Sequence, residues 1–242
     1  MQAGNDSLGS QLSGAAGLHA RLTAARAKRL AGRRARSGFT LLEALMTMVI
    51  LGVGVLAFVE AQQSFITSNT WSSHAATATF LANEIREMTR KLPRHDPVTG
   101  LYLNGSTLMG WGRETGEAVA TDLDDIDDFD GLVFGATGNM DGPVNLFGDT
   151  IPEVDLQGAV VTDSEGQPIA MRGWTQAVTV RKLNPANASQ SVANATFVAA
   201  NGGTPGRPVD RYPLKVTVVV SYQGPMDASA QEVTRVSWIV PE

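Results

Sequence analysis

The 242-residue chain contains no cysteine and only three histidines. The absence of cysteine excludes a disulfide, a thiol nucleophile and any cysteine-ligated metal. The histidines, His19, His74 and His95, are widely separated along the chain, which argues against a histidine-rich metal site. The chain also lacks a glycine-rich phosphate loop and a Ser/His/Asp arrangement of the kind that hydrolases use. We therefore expect that the protein is not an enzyme.

Acidic residues are scarce in the first 38 positions, which hold seven Lys or Arg residues and one acid, Asp6. From Phe39 onward the balance reverses to 12 basic and 23 acidic residues, a net charge of −11. Segments that remain on the cytoplasmic side of a membrane are rich in Lys and Arg. The change of sign therefore predicts a cytoplasmic N-terminus and an acidic remainder beyond the membrane. An acidic remainder also argues against direct nucleic-acid binding, which requires an excess of positive charge.

An apolar run with a single acid, Glu43, extends from Leu41 to Val59 between these two regions. Counted from Phe39 it comprises 21 residues. As a helix it would be about 31 Å long, enough to cross the hydrocarbon core of a membrane. A carboxylate in such a segment is costly, so Glu43 needs a reason to be there. Its position alone is compatible with a charged partner in another subunit and with a side chain that reaches the membrane interface.

Residues 37–43 read Ser-Gly-Phe-Thr-Leu-Leu-Glu, after a basic leader and before the apolar run. This order resembles the N-terminal signature of type IV prepilins and of the pseudopilins of type II secretion. The resemblance implies that a prepilin peptidase cleaves between Gly38 and Phe39 and that the new Phe39 amine is then N-methylated. It also implies that Glu43 serves assembly with other pilins or pseudopilins at an inner-membrane assembly platform. Residues 1–38 would be a cleaved leader. The Arg-rich, acid-poor composition of residues 1–37 also fits an organelle transit peptide.

The helix is predicted to continue past the apolar run. No proline or glycine occurs between Val55 and Leu92, and Pro93 then ends the helix. Apolar residues at spacings of four, three and four form one stripe on its later part, namely Leu81, Ile85, Met88 and Leu92. We predict one helix over about residues 40–92, so that residues 39–92 form a transmembrane and polymerisation helix.

Six aspartates occupy nine positions just before Gly131. The spacing is not that of an EF-hand, because counting back from Gly131 places Ile126 at the first ligand position. Three interpretations remain: a solvated acidic turn anchored by Phe129 and Leu132, a Ca²⁺ or structural-cation site, and paired catalytic carboxylates. A similar stretch occurs in some minor pilins of the mannose-sensitive-haemagglutinin type, which this segment resembles. The candidate cation ligands are Asp124, Asp125, Asp127, Asp128 and Asp130.

The C-terminal part of the chain is strand-like, with β-branched or alternating segments at 176–183, 213–222 and 232–240. The last two are joined by residues 223–231, which suit an antiparallel hairpin. Residues 184–208 are mostly Asn, Ala, Ser, Gly and Pro and predict a long loop, and we find no internal repeat. The predicted fold is α+β and pilin-like: a long N-terminal helix, transmembrane in its first half, packs on an antiparallel β-sheet head formed by residues 93–242.

These features predict a minor structural subunit of a type IV pilus-like fibre or of a type II secretion pseudopilus. The composition of the residues after the signature most resembles that of minor pilins and minor pseudopilins. Such a subunit would first lie in the inner membrane as a single-pass protein and later in a periplasmic pseudopilus or a cell-surface pilus. No cofactor is expected except a Ca²⁺ ion at the acidic stretch. The alternative function is a single-span, membrane-anchored Ca²⁺- or ligand-binding protein that does not polymerise.

Overall fold

The computed structural model describes residues 38–242, and the predicted leader therefore lies outside the described residues except for Gly38. The chain divides into two compact units, one that ends at Gln63 and one that runs from Ser64 to Glu242. Helix α1 (Leu41–Thr89) supplies the described helix of the first unit and the first element of the second. A long apolar N-terminal helix together with an antiparallel sheet confirms the predicted α+β, pilin-like architecture.

In the first unit, α1 begins directly after Thr40, whose hydroxyl accepts a hydrogen bond from the main-chain N–H of Glu43 at 3.2 Å. A threonine followed three residues later by glutamate is the capping-box pattern at a helix start. Every side chain from Leu41 to Val59 is exposed. By length and composition the helix can cross a membrane. An exposed apolar surface of this extent is what a lipid-facing segment requires.

The second unit contains a small hairpin and a larger antiparallel sheet. The hairpin pairs β1 (Tyr102–Asn104) with β2 (Thr107–Met109). The larger sheet has the order β3-β4-β6-β7, with β5 paired to β4. Its strands are β3 (Val133–Phe134), β4 (Trp174–Asn184), β5 (Asn187–Ser191), β6 (Leu214–Tyr222) and β7 (Gln231–Val240). The predicted hairpin between the last two strands is confirmed, and Val218 of β6 lies opposite Val236 of β7.

The core of the second unit lies between the later part of α1 and one face of the sheet. Alternation along β4 and β6 turns every second residue inward, because successive side chains of a strand point to opposite faces. Leu81 and Ile85 of the predicted helical stripe are fully buried against these strands, and Met88 and Leu92 pack at the edge. The buried sheet residues in this layer are Val178, Val180, Leu214, Val216, Val218 and Val220.

A buried amide joins helix to sheet within this core. The Gln176 side chain of β4 is fully buried, and its Nε2 donates hydrogen bonds to the carbonyl oxygens of Leu81 (2.8 Å) and Val144 (3.1 Å). Its Oε1 accepts a hydrogen bond from the Val144 N–H at 2.8 Å. All the polar atoms of this side chain are therefore paired, as a polar group in an apolar core requires.

Residues 187–191 form strand β5, so the prediction of a continuous loop over 184–208 was wrong for this part of the chain. A turn closes between Asn184 and Asn187, and Leu183 lies opposite Ser191. Every β5 side chain is exposed. A strand with no buried face shows no alternation of apolar and polar residues, which is why composition indicated a loop.

Three turns of the same construction follow one another in residues 145–167, and this corrects the prediction that the chain has no internal repeat. In each, an Asn or Asp side-chain oxygen accepts hydrogen bonds from the N–H groups two and four residues later, and a glycine with positive φ stands at the fourth position. Positive φ favours glycine, and Asn and Asp favour such turns. The turns begin at Asn145, Asp155 and Asp163. Their spacings are unequal and few other residues are shared, so the repeat is inconspicuous in the sequence.

Candidate functional site

The first candidate site is the start of α1. Gly38, Phe39 and Thr40 precede the helix, and all three are exposed. A side chain added at Gly38 would meet no atom within 4 Å. Nothing in the described part of the chain therefore requires glycine at this position. A requirement for glycine would have to come from a second protein that approaches the backbone closely.

Glu43 lies in the first turn of α1 and is exposed together with its apolar neighbours. Its N–H is capped by Thr40, and its carbonyl accepts a hydrogen bond from the Thr47 hydroxyl at 2.7 Å. A carboxylate here also interacts favourably with the positive end of the helix dipole. Both of these hydrogen bonds use main-chain atoms of Glu43, so the favourable interaction with the helix dipole is the local role that its carboxylate has beside the predicted role in assembly.

The acidic stretch, in contrast, is largely buried, and this overturns its interpretation as a solvated turn. A 3-10 turn runs Asp127–Phe129, and Asp125, Asp127 and Asp128 have no exposed surface. Phe129 and Leu132 are buried, as predicted for the anchors of the segment. Among the five predicted ligands only Asp124 is exposed, whereas Asp130 is half-buried. Buried carboxylates require hydrogen bonds, counter-charges or protons.

Asp125 and Asp128 hold the 3-10 turn by reciprocal capping. Asp125 Oδ1 accepts hydrogen bonds from the N–H groups of Asp127 (2.8 Å) and Asp128 (3.1 Å). Asp128 Oδ2 accepts hydrogen bonds from the N–H groups of Asp124 (3.2 Å) and Asp125 (3.1 Å). Each side chain keeps one oxygen without a partner, Oδ2 of Asp125 and Oδ1 of Asp128.

Asp127 is fully engaged by other parts of the chain. Its Oδ2 pairs with Nδ1 of His95, and its Oδ1 accepts a hydrogen bond from the Gly112 N–H at 2.8 Å. His95 and Asp127 lie 32 positions apart, so this pairing gave no signal in the sequence. The ammonium of Lys182 is fully buried, and it donates hydrogen bonds to the carbonyls of Asn194 and Val209. Burial lowers the pKa of Lys182 to about 8, and the charge of Asp127 opposes this shift.

Asp130 connects the acidic stretch to the edge of β4. Its Oδ1 accepts a hydrogen bond from the Val180 N–H at 3.0 Å, and its Oδ2 accepts one from Trp111 Nε1 at 3.1 Å. The exposed guanidinium of Arg181 lies 3.2 Å from the same Oδ2. Both oxygens of Asp130, like those of Asp127, are therefore occupied by donors of the chain itself.

Two glutamates outside the predicted set complete the acidic site. Carboxylate oxygens of Glu114, Glu117 and Asp128 lie within 4.8 Å of one another, and so do those of Asp124, Asp125 and Asp128. The structure brings neither Asp127 nor Asp130 into these groups. The loop that carries Glu114 and Glu117 gave no sequence signal, because the two residues are 11 or more positions from Asp128 and no regular spacing links them.

Burial and mutual repulsion raise the pKa values of three carboxyl groups at this site. Burial, with the neighbouring Asp128 charge, raises the pKa of Glu114 to about 7. Burial is also the main cause that raises the pKa of Asp128 to about 6. Burial and the charges of Asp127 and Asp128 raise the pKa of Asp125 to about 9. Near neutral pH, this arrangement either retains protons or attracts a cation.

Comparison with known protein families concerns the first of the two sites. Residues 33–59 match the family model of the prokaryotic N-terminal methylation motif. This is the signature of type IV prepilins and pseudopilins. The match covers the basic approach, the start of α1 and the apolar run, and it indicates a structural protein. No curated protein and no solved structure matches the chain significantly.

Prepilin peptidase is the processing enzyme that this signature indicates, and the apolar N-terminal helix, the one span candidate within residues 38–242, fits anchoring in the inner membrane before assembly. The motif ends at residue 59, so it says nothing about the head.

Proposed function

We propose that this protein is a minor structural subunit of a type IV pilus-like fibre or a type II secretion pseudopilus. The observation that carries the proposal is the position of the methylation motif, which coincides with the start of a 49-residue helix whose first part is apolar and exposed. The order Gly38, Phe39 and Glu43 within this motif is that of a processing site followed by an assembly helix. The composition of the residues after the signature supports a minor rather than a major subunit.

Processing would create the group with which Glu43 pairs. Cleavage between Gly38 and Phe39 by the peptidase frees the Phe39 amine, which stays cationic after the same enzyme, acting as methyltransferase, N-methylates it. When apolar helices pack side by side, this amine can lie against Glu43 of a neighbouring subunit. A carboxylate and an amine that are both removed from water are each costly alone, so their pairing favours one register between subunits.

The small residues of the apolar run support close packing of such helices. A side chain added at Gly52 or Gly54 would meet no atom within 4 Å, so nothing in the described part of the chain occupies the space beside them. Small residues at these positions let helix backbones approach each other closely in a membrane or a fibre.

The charge distribution supports an orientation with the leader in the cytoplasm and the head in the periplasm. Before assembly the protein would be a single-pass inner-membrane protein. The assembly platform would then extract it into a periplasmic pseudopilus or a cell-surface pilus, beside other pilins or pseudopilins.

The test is incorporation of a Glu43→Gln variant into sheared fibres in cells that make the wild-type fibre. We expect normal processing and membrane insertion but at least a tenfold loss of incorporation, because glutamine keeps the size and loses the charge. Glu60→Gln is the matched control, since Glu60 is an exposed acid on the same helix, and it should incorporate normally.

Normal incorporation of Glu43→Gln contradicts the assembly role of Glu43. If the wild-type protein is processed but never enters fibres, the proposal fails in favour of a membrane-anchored Ca²⁺- or ligand-binding protein.

A further inference from the structure

The head contains buried carboxylate oxygens that no donor within residues 38–242 satisfies. Both oxygens of Glu114 and Oδ1 of Asp128 are buried and accept no hydrogen bond from residues 38–242, and Asp128 as a whole has no exposed surface. A hydrogen bond between the Glu114 and Asp128 side chains requires that one of the two carboxyls holds a proton. A buried acceptor without a partner has lost the hydrogen bonds that it made to water, and this loss is larger when the acceptor is charged. Such groups are kept only where something else stabilises them.

No basic side chain compensates these charges within residues 38–242. The His95 and Arg181 side chains are paired with Asp127 and Asp130 instead. The nearby guanidinium of Arg113 donates to the main-chain carbonyl of Glu117 and contacts Met140, rather than a carboxylate. The remaining counter-charge must therefore be a proton or a bound cation.

We propose that Glu114, Glu117 and Asp128 bind one Ca²⁺ ion in the head. Their oxygens lie within 4.8 Å of one another. Two ligands on opposite sides of Ca²⁺ at about 2.4 Å each are separated by about this distance. The donors are all oxygens, which Ca²⁺ prefers, and they include neither sulfur nor imidazole.

The second group, Asp124, Asp125 and Asp128, is the weaker binding position. It holds only two buried oxygens without a partner, Oδ2 of Asp125 and Oδ1 of Asp128, against three in the first group. Asp124 is exposed, so water already stabilises its charge. Asp128 belongs to both groups, which favours a single ion beside Glu114.

A bound Ca²⁺ ion would bridge two separate segments of the head. Glu114 and Glu117 belong to the loop after Trp111, whose indole N–H bonds to Asp130, while Asp128 lies in the 3-10 turn. The Glu114 N–H also donates a hydrogen bond to Glu117 Oε2 at 2.8 Å, which holds the two glutamates together. The ion would thus join a preformed pair of glutamates to a preformed turn.

The experiment measures Ca²⁺ binding and thermal unfolding of the full chain in detergent, first stripped with chelator. At free Ca²⁺ about 100-fold above its Kd, the unfolding midpoint should rise by roughly 5 °C or more. The Glu114→Gln variant should bind Ca²⁺ at least tenfold more weakly, while its midpoint in chelator is unchanged or higher because repulsion is relieved. Mg²⁺ should give a smaller shift, because it demands a tighter octahedral shell.

Asp124→Asn is the matched control, because it removes one charge beside the site without removing a proposed ligand. Its Ca²⁺ affinity should stay within about threefold of the wild type. The proposal is overturned if Ca²⁺ leaves the wild-type midpoint unchanged, if Mg²⁺ stabilises equally, or if Asp124→Asn weakens binding as much as Glu114→Gln does.

Discussion

An aspartate in this stretch can be a metal ligand or an acceptor of hydrogen bonds that hold the fold, and an Asp130→Ala variant distinguishes these two roles. The sequence made Asp130 a candidate metal ligand, whereas the structure gives both of its oxygens to donors of the chain. Gly131 and Leu132 continue the contact with the edge of β4, because the Gly131 N–H donates to the Val178 carbonyl and the Val178 N–H to the Leu132 carbonyl. Asp130 extends this pairing by one step to Val180.

The expected loss in the free energy of unfolding follows from the donors that Asp130→Ala would leave without partners. These are the N–H of Val180, whose residue is fully buried, and Nε1 of the half-buried Trp111. Each costs about 1–3 kcal/mol when its acceptor is removed, so we expect a loss of about 2–6 kcal/mol. The ion pair with Arg181 adds little, because the Arg181 side chain is 54% exposed. For a unit of this size the unfolding midpoint should fall by roughly 5–15 °C.

The assay is thermal and denaturant unfolding of the full chain in detergent with excess chelator, so that no cation contributes. Asp141→Ala, which removes an exposed aspartate from a following turn, serves as the control and should change stability by less than about 0.5 kcal/mol. An Asp130→Ala variant as stable as the control in chelator, but without the response to Ca²⁺, would refute the reasoning and make Asp130 a ligand.

Two further predictions concern buried polar groups of the head. Gln176→Met should lower the free energy of unfolding by about 2 kcal/mol, because the Val144 N–H loses its acceptor, while Gln157→Met on an exposed turn should be neutral in the same denaturant titration. The pKa of Lys182 is lower in the folded than in the unfolded chain, so the unfolded chain holds more protons between about pH 8 and pH 10.5. Its contribution to stability therefore rises with pH in this window, by up to about 3 kcal/mol. Denaturation of wild type and Lys182→Met at pH 7.5, 9 and 10 measures this change, and a difference between them that is independent of pH would contradict it.

The elements with strong periodicity could be predicted from the sequence. Helix α1 shows a 3.6-residue stripe in its later part, and β4, β6 and β7 are rich in β-branched residues, so both types of element were recognised within a few residues of their ends. The methylation motif is local as well, because the basic leader, residues 37–43 and the apolar run follow one another directly along the chain.

The acidic site could not be predicted, because its properties come from distant residues. The partners of Asp127 and Asp130 include His95, Gly112 and Val180, and these three lie 15 to 50 positions away. Six aspartates in nine positions suggest solvation, and only tertiary packing shows that three of them are buried. One signal was available: Lys182 falls on the same face of β4 as Val178 and Val180, a core position where a charged residue needs partners.

The N-terminus of the mature protein tests the central claim most directly. Intact-mass measurement and N-terminal sequencing should be made on protein from cells that contain a prepilin peptidase and from matched cells that lack it. The account predicts a chain that begins at Phe39 and carries one added methyl group in the first case, and an unprocessed chain in the second. A leader still joined to Phe39 in peptidase-containing cells would contradict it.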